Sequence, residues 1–513
     1  MLPNADSTRL SPSWRSSRWF ILTVVSVSYM TIVPIMPSAL VARAGVLPQD
    51  SMYSSLLQKV SSIGKEKITD TSFQWLEVYW TSIMLVAETA AAFFTCPVFG
   101  YWVDRTGRRK VPFLAGLVLL AASMCLFTVA RSVATYIIAR LLQGASAAMV
   151  EVAGLALLKD VVGKQGLGEA LGYMGTGSMV GLMAGPPLGG LLNKVGGYHA
   201  VCVLGFAIVA LDAALRLAVL EKGEVERGNN SARYSAIPST DPEDHDAASG
   251  GNTTHPPSGL NAQRGVAFAS LKLLKQPRVA ITLWALVVDG IIIGAFDAVL
   301  TGLKQTRWIS DQKHQTVPSF VEKLFGWDSF AAGLIFLVMA TPSLLEPLFG
   351  RLCDRFGVRI MAIIGYSLLT PSLVCLYFVS HDSVSQKILF CVLVAFCGIS
   401  PDLGHPGLYV ESQMVIEEME QQSPGIFGEK GAVAQAFGLQ TMANYAGLAI
   451  GPILGEALFD NYGWKSMALA LGALSAATVV PSFWLSNRTY GHETEETEEE
   501  HLTVAAPAPY GTL

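Results

Sequence analysis

Several ionisable side chains stand within apolar stretches of this chain, and seven could take part in binding: Glu88, Arg140, Glu151, Asp289, Asp297, Asp402 and His405. In hydrocarbon, a charged side chain costs roughly 2.5–3.5 kcal/mol on insertion scales, so each must be paired, solvated or protonated. Acids under that constraint can bind and release a proton or hold a charged group on a solute. Glu88 lies near the middle of its apolar run. Arg140 and Glu151 are almost three whole helical turns apart, which places them on one face about 16 Å from each other. Asp289 and Asp297 are separated by roughly 80° around a helix and can line one cavity. Asp402 and His405 are i,i+3 neighbours, and the flanking Pro401 and Pro406 predict a broken helix of the kind that lines transport cavities. Glu346, close to the second copy of a repeated polar loop, reads as snorkelling to the membrane surface or pairing with the nearby Arg351. No nucleophile–base pair, phosphate loop or metal-ligand set accompanies these residues, so neither an enzyme nor a resident metal or cofactor is expected.

The elements that position them are membrane helices. Of 513 residues, 51% are hydrophobic and 15% charged, and the mean hydropathy is +0.43. That composition excludes a water-soluble globule. About 20 apolar residues span the hydrocarbon, and twelve such runs occur, near 19–42, 78–102, 111–131, 133–158, 168–193, 198–220, 279–303, 329–350, 357–380, 386–411, 431–457 and 463–485. The expected fold is an all-α membrane protein of twelve transmembrane helices in two pseudo-symmetric six-helix bundles.

The organisation follows from the same pattern. Residues 1–18 form a cytoplasmic tail, 19–220 the first bundle, 221–278 a largely disordered linker, 279–485 the second bundle and 486–513 an acidic tail. Ala269 to Arg278 can form an amphipathic helix on the membrane surface, and residues 412–430 read as an acidic loop. Lys and Arg are denser in the segments that share a side with both termini, which places the termini in the cytoplasm. The net charge of −5 arises largely in the tail and linker and indicates no nucleic-acid partner. The seven cysteines show no disulfide or metal spacing and read as packing residues.

One stretch occurs twice: residues 100–110, GYWVDRTGRRK, and residues 350–359, GRLCDRFGVR. Each holds Gly, three residues, Asp-Arg, one residue, Gly and a later Arg. It resembles the signature loop of the major facilitator superfamily, found between the second and third helices and between the eighth and ninth. The resemblance implies that Gly100, Asp104, Arg105, Gly107, Arg108, Asp354 and Arg355 pair with charges on neighbouring helix ends and help set inward against outward states.

Arg140-Leu-Leu-Gln143-Gly144 resembles the fourth-helix motif of that superfamily, which implies a part for Arg140 in proton coupling. Gly181, Gly185, Pro186 and Gly189 fall in a glycine-rich fifth run that resembles the antiporter motif, with Gly451-Pro452 as its repeat. The proline pair there is expected to prevent a straight hydrogen-bond ladder. From Tyr136 to Glu221 the chain is similar to the vesicular amine transporter branch of the twelve-span drug:proton antiporters, and Asp212 matches an aspartate of that branch. Asp297 matches its seventh-helix acid, and Asp402 falls one residue from its tenth-helix aspartate. Val25, Glu88 and Thr441 stand where the branch has an aspartate, a lysine and an aspartate, so recognition of monoamines is not implied.

The resulting expectation is a monomeric, proton-coupled antiporter that exports a small amphipathic organic compound from the cell across the plasma membrane. Its partners are protons, the solute and the bilayer. A vacuolar or vesicular loader, an uptake carrier and a non-transporting membrane sensor are the alternatives.

Overall fold

In the computed structural model the described residues are 70–106, 109–163, 166–218, 269–301, 324–327, 329–428 and 431–487. The first apolar run, most of the linker, and Gly107 and Arg108 lie outside them. Every regular element among the described residues is helical: α1 (Asp70–Thr106), α2 (Lys110–Val129), α3 (Val133–Val162), α4 (Leu167–Ala218), α5 (Ala269–Leu274), α6 (Pro277–Thr301), α7 (Ser329–Ala340), α8 (Glu346–Phe356), α9 (Val358–Cys375), α10 (Val384–Gln422) and α11 (Val433–Ser482). Short 3-10 turns at Thr341–Leu345 and Leu376–Phe378 follow α7 and α9. Among the described residues, eight helical stretches are long and apolar enough to cross a membrane. Helices are required there because hydrocarbon offers no partner to a free backbone amide.

Two very long helices each conceal a joint. In α4 the backbone turns at Gly197, φ 67°, and in α11 at Gly463, φ 80°. Positive φ is where glycine is favoured, because it lacks the Cβ that makes this region costly. The residue after each joint is an aromatic anchor. Tyr198 donates its hydroxyl to the Phe127 carbonyl near the end of α2 (2.7 Å), and Trp464 donates Nε1 to the Leu376 carbonyl beyond α9 (3.0 Å). Ser132 and Ser383 cap α3 and α10 in the same manner, each accepting the amide three residues on at 3.3 Å. The two parts of the chain therefore repeat the same devices.

Three expectations about breaks are corrected. The backbone stays helical through Pro186 and Pro187, and α4 turns eleven residues after Pro186, at Gly197. α10 continues through Pro401 and Pro406 and is not broken. A single proline removes one donor, and the packed surroundings can re-satisfy what it frees. The expected loop at 412–430 is helical as far as Gln422. At 1.5 Å per residue, the 39 residues of α10 extend about 58 Å, well beyond a hydrocarbon core of about 30 Å.

Glycine sets the closest helix contacts. Gly290 and Gly294 of α6 meet Gly447 and Gly451 of α11 with backbone against backbone, and Gly455 meets Ala295, as small residues permit in membrane helices. Gly144 of α3 lies against the Glu88 carbonyl of α1, where a Cβ would collide with the oxygen. Gly144→Ala is expected to lower stability by about 1–3 kcal/mol, the usual cost of overpacking. Thermal unfolding of purified protein in detergent measures it, and an unchanged midpoint would remove this contact from the account.

Candidate functional site

Arg140 and Glu88 form one buried ion pair. Arg140 donates Nη1 to Glu88 Oε2 at 2.7 Å and to Gln143 Oε1 at 3.1 Å, while its Cζ lies 5.5 Å from the Phe127 ring centroid. Their side chains are 1% and 3% exposed, so the charges compensate each other away from water. Pairing between these two residues was not expected from sequence. Their separation of 52 positions places the partners on different helices, and no local spacing signals the contact.

Farther along α3, Glu151 faces α11. Tyr445 donates to its carboxylate at 3.2 Å and Thr441 lies at 3.5 Å. This acid therefore bridges helices from the first and second parts of the chain.

The second part holds a cluster of acids around one imidazole. His405 Nδ1 is 2.9 Å from Glu346 Oε1. Asp402 accepts the Ser343 hydroxyl at 2.6 Å, and Tyr366 donates to both Asp289 oxygens at 3.0 Å. Asp289, Glu346 and Asp402 are all within electrostatic reach of His405. The His405 ring meets Tyr409 edge-on at 5.3 Å, and Tyr409 stacks on Phe437 of α11 at 6.3 Å. Among the described residues no group of His, Cys, Asp and Glu is arranged to hold a metal.

Glu346 corrects its sequence reading. It pairs with His405, and Arg351 reaches across to Glu169 on α4 at 2.8 Å. Only five residues separate Glu346 from Arg351, but α8 begins at Glu346 and turns that carboxylate toward α10. The Asp297 side chain lies outside the described residues, although its backbone belongs to α6.

The duplicated loop joins the two parts of the chain through its acids. Asp104 accepts the backbone amides of Ala434 (3.0 Å) and Gln435 (2.9 Å) at the start of α11. Asp354 accepts those of Gly168 and Glu169, both 3.0 Å, at the start of α4. Each carboxylate thus caps a helix of the other part, where exposed N–H groups and the positive dipole end favour an anion. Gly100 and Gly350 let the backbones approach: a Cβ on Gly100 would stand 2.8 Å from the Ala434 carbonyl oxygen, and one on Gly350 would collide with the Gly168 carbonyl. Arg109, which sequence reasoning passed over, binds Asp104 and Asp160, both at 3.0 Å. Arg105 contacts the Tyr101 hydroxyl at 3.3 Å, and Arg355 lies over the Phe356 ring at 5.4 Å.

At the same end Lys159 of α3 reaches α10, with Gln413 at 3.0 Å and Glu417 at 3.2 Å. Arg278 binds Glu411 and Glu418, both at 2.6 Å. Asp212 is buried on α4, as are Gly181 and Gly185. Gly189 is helical, and nothing further is described of it or of the Pro186 side chain. Gly451 and its neighbour Pro452 pack on α6 rather than between the two parts. All seven cysteines are free.

The family model for the Major Facilitator Superfamily matches residues 18–310 and 315–511. The chain belongs to the major facilitator superfamily. It is a multi-pass integral membrane transporter. The MFS-type transporter ppzB of Metarhizium rileyi (strain RCEF 4871) is 29% identical over 497 residues, 92% of this chain and 95% of that protein. The ppzB of Metarhizium majus (strain ARSEF 297) is 30% identical over 80% of this chain and 91% of its own length. Multidrug resistance protein 1 of Bacillus subtilis (strain 168) is 25% identical over 81% and 92%. Among solved structures, the human organic anion transporter MFSD10 (TETRAN) superposes with a TM-score of 0.59 at 16% identity, covering 92% of this transporter and all of that chain. That likeness concerns the fold alone.

Proposed function

We propose that the transporter is a proton-coupled antiporter of the drug:proton antiporter group, exporting a small amphipathic organic compound by alternating access between two six-helix bundles. The observation that carries this reading is the imbalance around His405: three carboxylates face one imidazole. Full ionisation would leave two negative charges with hydroxyl partners only, from Ser343 and Tyr366. Such charges are tolerated when they are exchanged for protons or for a solute. Asp402, Asp297 and Glu88 carry the exchange, with Arg140 setting the charge state of Glu88. The similarity to Multidrug resistance protein 1 supports the solute class. The transporter acts as a monomer in the plasma membrane with both termini in the cytoplasm. On that orientation the Asp104 and Asp354 contacts close the cytoplasmic side.

Each pH unit supplies about 1.4 kcal/mol per proton and each 100 mV about 2.3 kcal/mol per charge, enough to concentrate a solute appreciably. The test is pH-gradient-driven flux of a panel of fluorescent amphipathic dyes in proteoliposomes. Glu88→Gln, Asp297→Asn and Asp402→Asn are expected to reduce or abolish gradient-driven accumulation. Unaltered coupling in all three would sink the proposal.

A further inference from the structure

Glu346 occupies an unusual place. Its carboxylate abuts Gly175 on α4, so close that a Cβ on Gly175 would collide with both carboxylate oxygens, and its backbone carbonyl abuts Gly172 in the same manner. One turn away, Thr176 of α4 donates to the Ser343 carbonyl (3.0 Å), and Ser343 donates its hydroxyl to Asp402. Among the described residues, the α4–α8 seam is one of two places where the first and second parts of the chain meet with glycine against backbone; the other joins α1 to α11 through Gly100 and Gly438. An acid wedged into a seam that has to open during alternating access has its surroundings changed by that opening.

We infer that Glu346, through its contact with Gly175 and its bond to His405, is the residue at which proton binding controls the α4–α8 seam. The inference rests on the proposed proton coupling and names the element that regulates it. Glu346 has 4% of its side chain exposed and His405 31%, so the imidazole connects a carboxylate hidden in the seam to the accessible interior. The groups facing the pair come from every neighbouring helix: Asp402 and Tyr409 of α10, Cys353 of α8, Asp289 of α6 and Glu151 of α3. From α4, Gly172, Gly175 and Thr176 supply no charge at this level. Glu169, Tyr173, Arg351 and Asp354 lie farther toward the end of the seam. No cation other than the imidazolium is within ion-pair distance of Glu346, Asp402 or Asp289 among the described residues. Closing the seam removes water from Glu346, and opposite a neutral His405 imidazole its carboxylate would hold an uncompensated charge, retained there only at high cost. Closure therefore takes up a proton at the Glu346–His405 pair, and opening returns it to water.

The experiment follows the separation of the two parts by energy transfer between fluorophores introduced as non-natural amino acids at the exposed positions Val111 and Phe356. It uses the full chain in proteoliposomes across about pH 5 to 8. In the native sequence acidification is expected to favour the closed seam, by about tenfold per pH unit for each proton linked. Glu346→Gln is expected to reduce that slope by about one proton, and Glu346→Asp, which keeps an acid, to retain it. The same series in the Asp354→Asn background subtracts the titration of that carboxyl. A native slope in Glu346→Gln, or no pH dependence in the native chain, overturns the inference. If Glu346→Gln does not fold, Gly175→Ala keeps the question open to refutation. Its methyl displaces the carboxylate, so the pH at which the seam opens is expected to move about one unit toward acid, and an unmoved midpoint overturns the assignment. Absence of gradient-driven flux together with a slope lost in Glu346→Gln would sink the antiport reading and support this one. Coupled flux with an unaltered slope would do the reverse.

Discussion

Arg140→Met is expected to bring transport to background and to lower stability by about 3–5 kcal/mol, the cost of removing one charge of a buried ion pair. Arg140 is 1% exposed and Glu88 2%, so water cannot replace the lost guanidinium. The helix pair cannot readily shift to admit it either, because Gly144 holds α3 against the Glu88 carbonyl. The double variant Arg140→Met with Glu88→Met separates stability from function. Removing both charges together leaves no orphan, and replacing a whole buried pair with apolar side chains is often neutral. Stability is therefore expected to return toward that of the native chain while flux does not. Melting of the purified variants, read beside dye flux in proteoliposomes, completes the cycle. A single variant that melts and transports like the native chain would show that the pair has no part in either property.

The second large effect concerns the two reciprocal caps. Asp104→Ala removes the acceptor from the start of α11, and Asp354→Ala removes it from the start of α4. Losing a capping side chain costs about 0.5–2 kcal/mol. The two sites share no partner, so the double variant is expected to lose about the sum. A shift of 1.4 kcal/mol is tenfold in an equilibrium, so the ratio of closed to open falls by about fivefold or more in the double variant. The Val111–Phe356 distance reads this directly, and an unchanged distance distribution would remove the caps from the closing mechanism.

The pH dependence has a definite sign at Asp354. Burial pushes its carboxyl from the ordinary 3.8 up to about 6, against the amides of Glu169 and Gly168, which lower it. A group whose value rises on closure favours the closed form once protonated. Its contribution is full below the ordinary value and disappears as pH rises through about 6. Asp354→Asn, which retains an acceptor but does not titrate, is expected to keep much of the cap and lose this dependence.

Much was legible in the chain because helix formation in a membrane is a local matter. Apolar length and the absence of water require helices over the runs that contain Glu88, Arg140, Asp289 and Asp402. The duplicated Gly-Asp-Arg-Gly stretch likewise marked Asp104 and Asp354 before any coordinates. Local rules were weaker at proline. Pro401 and Pro406 predicted a break that α10 does not have, and the true joints lie at Gly197 and Gly463, where positive φ decides.

Partners were settled only in three dimensions. Glu346 stands five residues from Arg351 and 59 from His405, yet it bonds to the latter. Arg140 finds Glu88 from 52 residues away, and Asp104 finds the amide of Ala434 from 330. Periodicity determines which face of a helix a side chain occupies. Which neighbour it meets depends on the axial offset and crossing of helices that glycine contacts such as Gly144 on Glu88 and Gly175 on Glu346 bring together, and those are properties of the packed fold.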